Sequence, residues 1–157
     1  MDTRQQDRPV APGCASPRGT IVVGVDGSPA ARRALRLAAD QAALTGQTIR
    51  AVLVRYYPVD PADDEIWMQA GERVLRETVR STVPAEMADA VEQQVLRGDP
   101  ARALLHAAID ADLLVMGNLG LAGFPGELVG PVLQQVLAAA PCPVLVVRDV
   151  PATHADR

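Results

Sequence analysis

Short apolar runs rich in β-branched residues alternate along this chain with longer stretches that have apolar residues at helical spacing. No other feature restricts the fold as much, because strand and helix in turn give a sheet covered on both faces. Ile21 to Val25 reads as the first strand. Asp26-Gly27-Ser28-Pro29 closes it. That closing sequence is a strand exit followed by a helix start, since Ser28 suits an N-cap and Pro29 the first helical position. Ala30 to Leu44 then carries Ala34, Leu35, Ala38 and Ala42 on one side and Arg32, Arg33, Arg36 and Asp40 on the other. Gly46 is a natural stop.

The same grammar continues. Ile49 to Val54 predicts a second strand, and a polar connection runs through Tyr57-Pro58 to Asp64. Ile66 to Val83 predicts a second helix with Val74, Leu75 and Val79 inward, and Val91 to Leu96 a third strand. Gly98-Asp99-Pro100 repeats the turn, the N-cap and the first-turn proline, and opens a third helix from Ala101 to Ile109. Leu113 to Met116 is uninterrupted apolar sequence, as in a strand buried on both faces. Val129 to Ala139 predicts a fourth helix and Val144 to Val147 a fifth strand. The expected fold is therefore α/β, an open and mostly parallel five-stranded sheet with helices on both faces. Residues 1–18 are polar and rich in Pro and Gly, and are expected to form a disordered leader. The domain is expected over 19–150, with a short tail over 151–157.

Composition narrows the chemistry. Only 3% of residues are aromatic, which leaves no stacking platform for single-stranded nucleic acid. A formal charge of −4 gives no general attraction to phosphate backbones or anionic membranes, so neither nucleic acid nor membrane is an expected partner. All 15 basic residues are Arg. Without Lys there is no Schiff base, no P-loop lysine and no phosphorelay receiver site. The sequence also lacks the His-x-x-His signature of nucleotidylyl transferases. Cys14, Cys142 and two scattered His residues do not make a metal site and read as free thiols and lone imidazoles. The Asp60, Asp63, Asp64, Glu65 cluster lacks the spacing of a calcium loop. His106 has no partner at catalytic spacing, and no Ser/His/Asp or Cys/His pairing stands out, so no enzyme is expected. No run has signal-peptide or membrane-spanning character, and the expected location is the cytoplasm.

The segment that can carry function follows the fourth strand. Gly117-Asn118-Leu119-Gly120 comes first, and nine residues separate Gly120 from Gly130-Pro131 at the start of the fourth helix. A strand, a glycine-rich loop and a helix N-terminus together favour an anion, through backbone amides and the helix dipole. The spacing Gly-x2-Gly-x9-Gly resembles the nucleotide-binding loop of the universal stress proteins. The resemblance extends through Gln134-Gln135-Val136-Leu137 and Ala140-Pro141-Cys142-Pro143-Val144-Leu145-Val146-Val147. It also covers Ile21-Val22-Val23-Gly24-Val25-Asp26-Gly27-Ser28 and Ala111-Asp112-Leu113-Leu114-Val115-Met116-Gly117.

The resemblance implies a Rossmann-like fold of the adenine nucleotide alpha hydrolase type, with strand order 3-2-1-4-5. In that order Asp26 and Gly117, ending the first and fourth strands, border one crevice at the topological switch point. It further implies a stress-response regulator that binds ATP, with or without Mg²⁺. Asp26 would lie near the adenosine, Val54 at the adenine, and Gly117, Gly120 and Gly130 around the ribose and phosphates. A homodimer through the last strand, Val144 to Val150, and further protein partners are implied as well. The chain departs from the family pattern at Pro131, where the family has Ser or Thr. Leu119 and Leu121 stand where family loops often carry basic residues, and Glu127 adds a negative charge. Proline has neither a hydroxyl nor an N–H to offer a phosphate. The alternative is a dimeric interaction protein of the same fold that works without a nucleotide.

Overall fold

The computed structural model describes residues 19–56, 60–120 and 129–149. The expected leader and tail lie outside those residues, as do Cys14, Tyr57, Pro58, Leu121, Glu127 and Val150.

Five strands form one parallel sheet: β1 (Thr20–Gly24), β2 (Thr48–Arg55), β3 (Glu92–Arg97), β4 (Leu113–Gly117) and β5 (Val144–Val147). Their order is β3-β2-β1-β4-β5. The long helices are α1 (Pro29–Thr45), α2 (Asp64–Thr82), α4 (Pro100–Ala107) and α5 (Pro131–Ala139). A one-turn helix, α3 (Ala85–Ala88), and a 3-10 turn at Pro61–Asp63 are additions to the sequence expectation. Both are too short to show a period. The helix expected from Val129 begins two residues later, because Gly130 is extended, with φ −73 and ψ 165.

The strand period of two sorts the core. Ile21, Val23, Val25, Ala51 and Leu53 face α1 and α2, where Ala34, Leu35, Ala38, Leu75 and Val79 meet them. Val22, Val52, Leu114 and Met116 face α4 and α5, where Ala101, Leu104, Leu133 and Val136 meet them. Each buried Val or Leu contributes about 1.5–3 kcal/mol. The small Ala surface of α1 lets that helix lie close to the sheet. Val74, expected inward, is only partly buried and packs at the margin of the first cluster. Among the described residues, no helix is long and apolar enough to cross a membrane.

Candidate functional site

The chain leaves β1 toward β2 and leaves β4 toward β5, in opposite directions across the sheet. The two adjacent strand ends therefore open a crevice that no crossover covers. A cavity of about 410 Å³ occupies it, inside the range of roughly 300–1,000 Å³ usual for small-molecule sites. Asp26, Val54, Gly117, Gly120 and Gly130 all line this cavity. The strand period explains the first two. Val22 and Val52 face α4 and α5, so Asp26 and Val54, an even number of residues further on, fall on the same side.

Asp26 shapes the mouth. One carboxylate oxygen, Oδ1, accepts the Ser28 N–H at 2.9 Å. The other lies so near Gly120 that a Cβ there would sit 2.6 Å from Oδ2. The glycine thus makes room for the carboxylate. Gly117 answers a different demand. A Cβ on it would lie 2.6 Å from the Ala30 Cβ and 2.8 Å from the Ala30 carbonyl carbon, so this glycine admits the first turn of α1.

Asn118, buried to 4% exposure, ties the loop together. Its N–H donates to the Val147 carbonyl at 2.9 Å, and its carbonyl accepts from the Gly130 N–H at 2.8 Å. Its Oδ1 accepts the Asp149 N–H at 3.1 Å. One residue therefore joins the start of the loop, the start of α5 and the exit of β5. Sequence reasoning quoted Asn118 only as filler between two glycines. A polar side chain directly after a wholly apolar strand was the available signal. Tyr56, Leu104 and Met116 also line the cavity and were not singled out.

Among the described residues, no side chain caps the helix start beside the loop. Gly130 is the N-cap and offers no capping side chain, and Pro131 holds the first position. Helix geometry leaves the amides of Val132 and Leu133 without an intrahelical acceptor, and both residues line the cavity.

Among the described residues, no Lys, Arg or His lines the cavity, and its ionisable carboxylate is Asp26. Arg55, next to Val54 on β2, does not line this cavity. Its guanidinium stands 5.5 Å from the Trp67 ring centre, and it lines an adjoining cavity with Arg32, Val74 and Glu77, which shares Asp26 and Val54 with the first. Arg102 and His106 are exposed on α4 and do not line the crevice. Asp112 holds the foot of β1 by accepting the Thr20 N–H at 2.8 Å. Burial, with the charge of Asp112, pushes the Cys142 thiol up from its ordinary value, which keeps it protonated. Among the described residues, no group of three His, Cys, Asp or Glu could hold a metal ion. The arrangement is an apolar slot with one carboxylate at its mouth and one uncapped helix end on its wall. That is a geometry suited to binding a ligand with an apolar part.

Comparison with known proteins agrees with this architecture. The sequence model of the Universal stress protein family matches residues 17–148. A universal stress protein of Thermus aquaticus is 39% identical over 140 residues, which are 82% of this chain and 98% of that protein. A universal stress protein of Mycobacterium tuberculosis is 31% identical over 132 residues, 83% of this chain. The chain spans about half, 48%, of that mycobacterial relative's length. Among solved structures, a universal stress protein in complex with cAMP is 27% identical with a TM-score of 0.67. That match covers 84% of this chain and 98% of the other.

Proposed function

This chain belongs to the universal stress protein family, and on that premise we propose that it binds an adenine nucleotide in the crevice between β1 and β4. Occupancy then alters its protein contacts under stress. The observation that carries this reading is the convergence of Asp26, Val54, Gly117, Gly120 and Gly130 on one cavity. They come from three strand ends and one helix start, and packing alone does not require them to share a wall. Val54, Leu104 and Met116 would hold the base between apolar surfaces. Asp26 would accept from ribose hydroxyls, and Gly120 with the start of α5 would face the phosphate. ATP with Mg²⁺ is the ligand that the resemblance implies, and a relative of this fold has been solved with cAMP.

The protein acts by binding rather than by catalysis, as a cytoplasmic homodimer. β5 pairs with β4 on one side and ends the sheet on the other, and Leu145 on it is 39% exposed. An edge strand of this kind is suited to pairing across a two-fold axis. Calorimetric titration with ATP and Mg²⁺, with mass spectrometry of any co-purified ligand, tests the nucleotide. Saturation at micromolar concentration supports it, and no heat with any adenine ligand at millimolar concentration refutes it. Pro131 favours a second reading, in which the dimer contacts its partners without a nucleotide. Under that reading, Gly120→Val leaves both dimer mass and partner binding unchanged.

A further inference from the structure

Resting on the adenine-nucleotide reading, we propose that the crevice selects its ligand by charge, taking adenosine or a nucleoside monophosphate in preference to the triphosphate. The base end of the cavity suits an uncharged aromatic ring, with Val52, Val54, Leu104 and Met116 on its walls. The phosphate end is poor in what a triphosphate needs. Pro131 contributes neither an N–H nor a hydroxyl. The Gly130 N–H is already spent on the Asn118 carbonyl at 2.8 Å. Of the first-turn amides of α5, those of Val132 and Leu133 remain for the ligand. The helix end adds only about half a positive charge, whereas a triphosphate brings several negative ones.

Among the described residues, no Lys, Arg or His on the cavity wall supplies the balance. Positions 103–147 contain neither Lys nor Arg, and Arg102 at the start of α4 is exposed and does not line the crevice. Arg55 stands against Trp67, and with Arg32 it lines the adjoining cavity that shares Asp26 and Val54 with the crevice, but neither arginine lines the crevice itself. Asp26 opposes further negative charge, and its carboxylate lies beside Gly120 on the cavity wall. A neutral ribose benefits from that carboxylate as an acceptor, while a polyphosphate is repelled by it. Ring and ribose are thus well provided for, and the second and third phosphates are not.

The test is calorimetric titration of the purified full chain with adenosine, AMP and ATP, the last with and without Mg²⁺. AMP is expected to bind at least about tenfold more tightly than ATP. A smaller gap, or a preference for ATP, overturns the inference and leaves the nucleotide reading intact. Failure of all three ligands to bind overturns both. Pro131→Ser restores a hydroxyl and an amide at the first position of α5. It is expected to tighten ATP about tenfold, the value of one hydrogen bond to a charged group, and to change adenosine less than twofold. Equal gains for the two ligands overturn the assignment of selectivity to this position, and a thermal melt of the variant confirms that it folds. Asp26→Asn is expected to narrow the gap between AMP and ATP. A gap that widens overturns the role given to the carboxylate.

Discussion

α1 and α5 leave the sheet from neighbouring strands, and each begins with proline. Their starts are otherwise opposites. At α1, the Ser28 hydroxyl accepts the Ala31 N–H at 3.2 Å, and Asp26 in turn accepts the Ser28 N–H. At α4, Asp99 does the same for Arg102 at 2.9 Å. At α5, the N-cap is a glycine, and the helix end is left to the cavity. On the proposed reading, the same backbone device serves as structure where a side chain closes it and as a ligand seat where none does. The distinction resides in a single N-cap residue, Ser28 or Asp99 against Gly130.

The sharpest way to break this comparison is at Gly117, which holds the closed end of α1 against β4. Gly117→Ala drives a Cβ into the backbone of Ala30, which cannot move aside without moving α1. We expect a loss of about 2–3 kcal/mol, read from the midpoint of urea unfolding. Ser28→Ala removes the cap of α1 and is expected to cost about 1 kcal/mol, seen as a lower melting temperature. Gly120→Ala meets only the tip of the Asp26 side chain, which can rotate. Its cost in stability should stay below about 1 kcal/mol, while adenosine binding falls about tenfold as the carboxylate swings away. Two glycines of one motif would then separate, one as packing and one as site. Smallest of all, Pro131→Ser at the open end should change stability by less than about 0.5 kcal/mol, measured in the same urea series. A large loss there would mean that α5 is closed in solution by some other group, and the contrast with α1 would fall.

Much of this was legible from residues alone. β-branched and apolar runs marked the strands and apolar residues at helical spacing the long helices, with cap and proline at the starts of α1 and α4, because these signals are local. The short helix at Ala85–Ala88 was not legible, since four residues show no period. For the site, the glycine spacing and the strand ends pointed to one crevice, and the cavity wall contains all five residues. The tie at Asn118 stayed hidden because two of its partners, Val147 and Asp149, lie about thirty positions away and only folding brings them near. The side taken by Arg55 turned on parity. One step beyond Val54 along β2 reverses the face, so Arg55 stands against Trp67.

The tie at Asn118 also has a consequence for how this loop can change. Gly130 and Asn118 are joined directly, so everything between them is a closed excursion whose ends are already paid for by β4, β5 and α5. Doubling the length of such an excursion adds only about 0.6 kcal/mol of closure entropy. The pairing of Asn118 with Gly130 thus separates the stability of the sheet from the length of chain that joins β4 to α5.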